Sequence, residues 1–349
     1  MAQQAYVTET EDDGSGPEQR RSRLRRLVSR PLRGWRGDRG IWRRGIILAV
    51  IAVLLALVMM LHSRIPNTVG NLGSLTETFL PWLGLLIPVL LILGLVRRSV
   101  TALIATVLPL IGWLNLFGGL VIDRTTTGGD LMVATHNVNA ENPDPSRTAR
   151  DLTGSGADVL ALEELTAPVV PVYEKGLAST YKYHKVVGTV GLWSKYPMTA
   201  VRSVDIKLGW ERAMRATVST PEGQVAVYVA HLPSVRVKAA TGFTARQRDK
   251  SADALGTAIS HETLQRVVLL GDLNGTMNDR SLTAITSQLR STQGAAGSGF
   301  GFSWPASFPM ARIDQVMVKG VKPESSWTLP RTGSDHLPVA ARVQVSTPD

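Results

Sequence analysis

The chain has 349 residues, is 44% hydrophobic, carries a formal net charge of +10 and contains no cysteine. The missing thiols exclude disulfides, cysteine nucleophiles and cysteine-ligated metal sites, while the length allows one sizeable domain plus an appendage. The charge does not mark a nucleic-acid binder by itself: residues 1–44 hold 11 Arg and 6 acidic residues, whereas residues 130–349 hold 23 Lys and Arg against 20 Asp and Glu, so the excess sits in a Lys-free, Arg-rich tail that reads as a topology signal.

In chain order, residues 1–44 form a cytoplasmic, disordered Arg-rich tail. Residues 45–122 form three transmembrane helices. The first is the uncharged run IILAVIAVLLALVMML, Ile46 to Leu61, extended by Gly45 and His62 to about the length of a bilayer core. The second runs from Phe79 to Val96 and the third from Val100 to Ile122, joined by Arg97, Arg98 and Ser99 as a helical hairpin. Pro81, Pro88 and Pro109 are tolerated where neighbouring helices re-satisfy the backbone, and Trp42, Trp82 and Trp113 suit interfacial anchoring. The loop from His62 to Thr78 has a single basic residue, Arg64. With the arginines inside, three spans place the rest of the chain outside the cell. Residues 123–130, with TTTGG at Thr125 to Gly129, read as a flexible linker, and residues 131–349 as an extracytoplasmic catalytic domain.

Within that domain short apolar runs end in polar residues, as expected where strands deliver side chains to a site at their ends. They are LMVATHNVN ending at Asn139, DVLALEEL around Glu164, VAVYVAHLP around His231, VVLLGDLN ending at Asn274, and the pair ARIDQVMV and GSDHLPVAARV. Each signal has a plain structural alternative. Asp272 and Asn274 could cap the following SLTAITSQL helix, and His231 could be a hydrogen-bonded structural histidine.

The joint order of Asn, strand-terminal Glu, strand-terminal His, GDxN, RID and SDH resembles the endonuclease/exonuclease/phosphatase superfamily, which includes DNase I-like nucleases, abasic-site endonucleases, inositol polyphosphate 5-phosphatases and bacterial neutral sphingomyelinases. The resemblance covers about residues 130–345. It implies an α+β fold, a four-layer α/β/β/α sandwich preceded here by the three transmembrane helices, and a metal-dependent phosphoric ester hydrolase. It further implies that Glu164 is the principal ligand of Mg²⁺, with Mn²⁺ as an alternative, helped by Asn137 and Asp335. Asp272 and Asn274 would orient or activate the attacking water, His231 and His336 would flank the phosphate, and Asp314 would fix the orientation and protonation of His336. The chemistry is sound on its own terms: a phosphodiester gains negative charge in the transition state, which calls for a cation and aimed donors. Two positions depart from the family pattern, Glu163 where Gln is common and Asn139 where some nucleases carry an acid.

The substrate is less legible. A nuclease reading rests on Arg236, Lys238, Arg246, Arg248 and Lys250, which equally suit the solvated face of a helix. A lipid reading rests on the three spans and on GSGFGFSWPASFP, whose Phe300, Phe302, Trp304 and Phe308 either rim the site or pack as a loop over the core. Trp210 could contribute similarly, with Arg212 or Arg215 as phosphate clamps. The layout of basic tail, three spans and outward domain is similar to actinobacterial membrane proteins of the VanJ type, a group linked with teicoplanin resistance. That similarity implies a lipid-linked phosphate or pyrophosphate, or a phospholipid, of the envelope as substrate. A non-catalytic envelope ligand-binding protein is the third reading.

Overall fold

Residues 43–68, 71–234 and 243–346 are described by a computed structural model. The tail up to residue 42, with Trp42, and the basic residues Arg236 and Lys238 therefore lie outside the described residues. Contacts divide the chain into two units, Met1–Leu55 with Leu85–Pro109, and Ala56–Gly84 with Leu110–Asp349.

Three helical segments, Ile46–Arg64, Leu72–Val96 and Val100–Val121, are long and apolar enough to cross a membrane. Helix α1 (Ile46–Leu61) covers the first expected run. The second segment begins earlier than its apolar run suggests, as α2 (Leu72–Phe79), and passes through a 3-10 stretch at Leu80–Leu85 that accommodates Pro81 before α3 (Leu86–Val96). Helix α4 (Val100–Val121) carries Pro109 in its interior. Ile47, Met60 and Val96 are exposed, as side chains that face lipid would be.

In the second unit, twelve described strands form two mixed sheets. The first has the order β11-β12-β1-β2-β4-β3, built from β1 (Leu131–Asn137), β2 (Val159–Glu163), β3 (Tyr183–Val187), β4 (Val190–Ser194), β11 (Lys322–Thr328) and β12 (Val339–Gln344). The second has the order β5-β6-β7-β8-β10-β9, from β5 (Met198–Ser203), β6 (Ala213–Thr220), β7 (Gly223–Ala230), β8 (Val267–Asp272), β9 (Arg290–Ser291) and β10 (Asp314–Lys319). Successive side chains of a strand point to opposite faces, and here both faces are buried. Leu131 and Val133 of β1, Val225, Val227 and Val229 of β7, and Val268 and Leu270 of β8 fill the core between the sheets. Their neighbours turn outward under helices. Met132 and Ala134 pack with α5 (Pro145–Thr153) and α6 (Val170–Leu177), and Ala226, Tyr228 and Leu269 pack with α7 (Phe243–Ser260). The result is the expected helix-sheet-sheet-helix sandwich.

The sheet topology gathers the chemistry on one edge. Strands β1 and β2 run parallel, with Asn137 beside Glu163, and β7 and β8 run parallel in the other sheet. Both pairs therefore end at the same side, where β10 begins antiparallel to β8 with Asp314 opposite Asp272. The segment read as a flexible linker is tied down instead. Thr126 N donates to Glu324 O at 2.7 Å, Arg124 N to Gly297 O at 3.2 Å, and the Asp130 carboxylate accepts from Val345 N at 2.7 Å and Ser346 N at 3.0 Å.

Candidate active site

Asp272, the last residue of β8, is the hub of the strand-end cluster. Its Oδ2 accepts from Asn137 Nδ2 at 3.0 Å and from Asn274 Nδ2 at 3.1 Å, and lies 3.7 Å from His231 Nε2 and 3.9 Å from His336 Nε2. Its Oδ1 accepts from Asn274 N at 2.9 Å, so the GDLN turn folds back on its own carboxylate rather than capping a helix. Asn137 also donates to Glu164 Oε1 at 3.1 Å, and His231 Nε2 is 3.7 Å from that same oxygen. A single amide thus bridges the carboxylates of the two sheets.

Glu163 and Glu164 separate because the backbone turns between them. Glu164 has φ of 62°, a left-handed conformation that costs energy for a non-glycine residue, and its side chain is 31% exposed with Oε2 held by Ala140 N at 3.0 Å. Glu163 stays in the strand direction and is fully buried, with Oε1 accepting from Thr135 Oγ1 at 2.8 Å. Burial, reinforced by the Asp314 and Asp272 charges, holds its carboxyl well above the usual range, which favours its protonated form. In its protonated form Glu163 is close in shape and charge to the glutamine common at this place. Asn139 (φ 61°) and Asn274 (φ 47°) share the left-handed backbone. Asn139 does not replace the missing acid: its Oδ1 accepts from Glu141 N at 2.9 Å and its N donates to Asn137 Oδ1 at 3.0 Å.

Asp314 and His336 form a dyad. His336 Nδ1 lies 2.9 Å from Asp314 Oδ2 and 3.1 Å from Oδ1, and Ser303 Oγ donates to Oδ2 at 2.6 Å. Burial disfavours the imidazolium, but the Asp314 charge and hydrogen bond override it and place the His336 pKa at about 10. Burial likewise opposes ionisation of Asp314, and the His336 charge with the two side-chain hydrogen bonds brings it below its ordinary value. Asp272 has no such partner: burial first, then the Asp314 charge, push it up to about 7 against the help of His336, Asn137 and Asn274. Burial and the charges of Arg212 and His336 hold His231 well below its usual value, so it is neutral.

Asp272, Asp314 and His336 have potential ligand atoms within 4.8 Å of one another, yet an imidazolium committed to Asp314 would repel a cation there. The hard-oxygen pair Glu164 and Asp272, spaced by one amide and facing outward through the half-buried Glu164, suits a small divalent ion better. Asn137 offers its amide hydrogens to both carboxylates in this arrangement, not its oxygen. Asp335 is exposed at the rim, where its charge adds to the field on His336, and its backbone O accepts from Ala306 N at 2.7 Å. The structure thus brings Asn137, Glu164, His231, Asp272, Asn274, Asp314 and His336 together and leaves Asp335 beside them.

The model of the Endonuclease/Exonuclease/phosphatase family matches residues 134–336, a stretch that begins three residues before Asn137 and ends on His336. The chain belongs to this family. It is a metal-dependent phosphoric ester hydrolase. No curated protein matches the sequence significantly. Among solved structures, zebrafish (D. rerio) TDP2 in complex with a single-strand DNA product is similar at 16% identity and a TM-score of 0.52, over 61% of this chain and 98% of that one. A mannosyl-6-phosphatase of Bacteroides thetaiotaomicron is similar at 15% identity and 0.51, over 61% and 99%. A Staphylococcus aureus beta toxin is similar at 14% identity and 0.50, over 62% and 100%. These likenesses establish the fold of the endonuclease/exonuclease/phosphatase domain.

Residues beyond the predicted site set also shape this site. Ser334 Oγ donates to Asn137 O at 2.7 Å and accepts from His336 N at 3.0 Å, locking the SDH turn to β1. Arg212, one of the two candidate clamps, lies over the Trp210 ring at 4.9 Å and is close enough to feel the Asp272 and Glu164 charges. Arg215, the other, is spent in a bidentate pair with Glu262 at 2.9 and 3.0 Å. Arg248 is not on a solvated helix face. It is fully buried, with Nη1 donating to Asn274 O at 2.7 Å and Nη2 to Ser74 Oγ at 3.0 Å, and Nη2 2.7 Å from Asp279 Oδ2. The aromatic loop does not rim the site either: Phe302 stacks on Trp82 at 5.7 Å and on Phe300 at 5.0 Å, and Phe300 meets Trp113 at 6.1 Å. Phe308 is exposed and lies 6.4 Å from Trp82.

Proposed function

We propose that this chain is a membrane-anchored, outward-facing, Mg²⁺-dependent phosphoesterase acting on a phosphate carried by a lipid of the envelope, either a lipid-linked phosphate or pyrophosphate or a phospholipid. The observation that carries the lipid reading is how the site's loops are fastened. The loop after Asn274 bonds to the first two membrane-length helical segments and the link between them: Arg280 Nη1 donates to Ser63 O at 2.7 Å and Ile65 O at 2.5 Å, and Thr276 Oγ1 to Glu77 O at 3.2 Å. The loop before Asp314 bonds to the second span, with Trp82 Nε1 donating to Met310 O at 2.8 Å. A site whose two loops rest on membrane segments meets substrates at the bilayer surface. The VanJ-type layout supports a contribution to teicoplanin resistance through such a lipid.

Glu164 is the principal metal ligand in this reading, with Asn137, Asp272 and Asp335 around it. The bound ion supplies charge neutralisation at the phosphate oxygens. Asp272 and Asn274 hold the attacking water, with Asp272 as the proton acceptor. His336, cationic through Asp314, and neutral His231 donate to phosphate oxygens as negative charge grows, and Arg212 adds a cation at the rim. The outward orientation is tested by a C-terminal alkaline phosphatase fusion, which should be active; a fluorescent cytoplasmic reporter at the same place would argue for the reverse.

The substrate is tested by incubating detergent-solubilised protein with lipid extracts, single-strand DNA and RNA, with and without EDTA. Release of phosphate or a head group from lipid, abolished by EDTA, with nucleic acid intact, is the expected result. Cleavage of DNA or RNA in preference would replace the lipid reading with a nuclease, and no turnover of anything would favour a binding protein.

A further inference from the structure

Arg248 is the least expected side chain beside the site. It belongs to α7, is fully buried and sets its charge against Asp279, with Nη2 2.7 Å from Oδ2. A guanidinium taken out of water is tolerated only where its hydrogen bonds are met. The two that Arg248 makes besides the Asp279 contact reach different parts of the chain: Nη1 donates to the backbone carbonyl of Asn274 at 2.7 Å, and Nη2 to Ser74 Oγ of α2 at 3.0 Å. One planar, rigid group therefore joins the start of the second membrane-length segment to the turn that follows β8.

At the catalytic end, Asn274 has a left-handed backbone, with φ of 47°. Its N donates to Asp272 Oδ1 at 2.9 Å, and its Nδ2 to Asp272 Oδ2 at 3.1 Å and to Leu232 O at 2.9 Å. A residue outside the ordinary backbone range stays there only while its surroundings fix it, and the Arg248 bond to its carbonyl is part of that fixing. At the other end Ser74 is buried and set by the chain around it. Its Oγ accepts from Asn67 Nδ2 at 2.9 Å and its N donates to Asn67 Oδ1 at 2.8 Å. The neighbouring Gly73 has no room for a side chain, since a Cβ there would lie 2.3 Å from Ile65 O and 2.8 Å from Arg280 Nη2. The Ser74 hydroxyl is thus held in place by Asn67 and by the close seating of α2, and Arg248 reaches to it.

We propose that Ser74 is a positioning residue for the hydrolysis: set by Asn67, it aims the Arg248 guanidinium, which holds the turn that presents Asp272 and Asn274 to the attacking water. The start of the second membrane-length segment is then a part of the active site as well as an anchor. The proposal rests on the roles given above to Asp272 and Asn274, and is independent of the lipid as substrate.

Steady-state hydrolysis of bis-p-nitrophenyl phosphate, a small soluble diester, by the full-length protein in detergent with Mg²⁺ tests this without a membrane step; if that diester is not turned over, the same variants are compared on whichever lipid or nucleic acid of the panel above is. Ser74→Ala should lower kcat about fivefold with KM within about twofold, the mark of a slightly misplaced catalytic group rather than of lost binding. Thr76→Ala, which removes a hydroxyl of the same helix that bonds back to Leu72 O at 2.8 Å, should leave kcat unchanged. Because Ser74 acts through Arg248, Ser74→Ala combined with Arg248→Ala should cost no more than Arg248→Ala alone, whereas independent losses would multiply. An active natural protein whose Ser74→Ala variant keeps full kcat, falls no further than Thr76→Ala, or loses kcat multiplicatively with Arg248→Ala would overturn the proposal and leave the catalytic reading standing. Should the Arg248 variant fail to fold, the comparison of Ser74→Ala with Thr76→Ala decides alone. A natural protein that hydrolyses neither the diester nor anything in the panel would overturn the reading of the site and this proposal together.

Discussion

Two buried charge clusters in the second sheet differ in how far their charges are satisfied. On its helix-covered side Arg215 and Glu262 form a bidentate pair, with Tyr228 Oη and Leu264 N donating to the same carboxylate at 2.9 and 3.0 Å. Burial opposes ionisation of Glu262, but the Arg215 hydrogen bonds dominate and hold it at about 2. At the strand ends Asp272 receives three hydrogen bonds from neutral groups and faces a second carboxylate, Asp314, and its pKa rises to about 7. The first cluster is finished by its own residues. The second is arranged to hold something that brings positive charge, which is how a buried acid becomes functional rather than structural.

The largest effect expected from breaking this contrast is at the strand ends. Glu164→Gln and His336→Gln should each lower kcat by about 10³-fold or more, since in the proposed mechanism the first weakens the hold on the metal and the second removes a cation directed at the phosphate; a phosphate-release assay reads this directly. Glu262→Gln should leave kcat within about twofold but cost about 3–5 kcal/mol of stability by stranding Arg215, visible as a lower Tm. Between these lies Arg248→Ala, which touches no reacting atom but releases the Asn274 carbonyl and the tie to Ser74. A drop in kcat of roughly tenfold is expected, on the scale of a misplaced catalytic group, with substrate KM less affected and Arg248→Lys recovering part of the loss. The smallest effect belongs to Glu163→Gln, within about threefold in activity, because burial and the neighbouring Asp314 and Asp272 charges already favour the protonated form. Strong inactivation there would mean that Glu163 ionises and shares the metal.

Much of this was legible in the sequence because strand ends leave a periodic trace. The apolar runs ending at Asn139, Glu164, His231 and Asn274 gave the order of the sheet edge, and the uncharged run from Ile46 to Leu61 coincides with a helix of the same bounds. What escaped was set by tertiary contact. Arg248 sits in a run with Arg246 and Lys250 that reads as a solvated face, and only the approach of Ser74 and Asp279 buries it. Arg212 and Arg215 look equivalent until β6 alternation sends Arg215 outward to Glu262. Ser334 gave a faint signal, lying two residues before His336 as a turn-forming serine. The helical segment that carries the second apolar run starts at Leu72, seven residues before Phe79, because α2, LGSLTETF, is amphipathic rather than uniformly apolar.

The central claim, that Asp272 is held in an unneutralised state for chemistry, meets its most direct test in Asp272→Asn protein studied in EDTA. Because the folded-state pKa of Asp272 is raised above its ordinary value near 3.8 to about 7, its contribution to stability is fully present below pH 4 and lost as pH rises through 7. The Tm of Asp272→Asn relative to the natural protein should therefore increase between pH 4 and pH 8, while phosphoesterase activity with Mg²⁺ falls by at least about 10³-fold. A Tm difference independent of pH, or an active Asp272→Asn enzyme, would contradict the account.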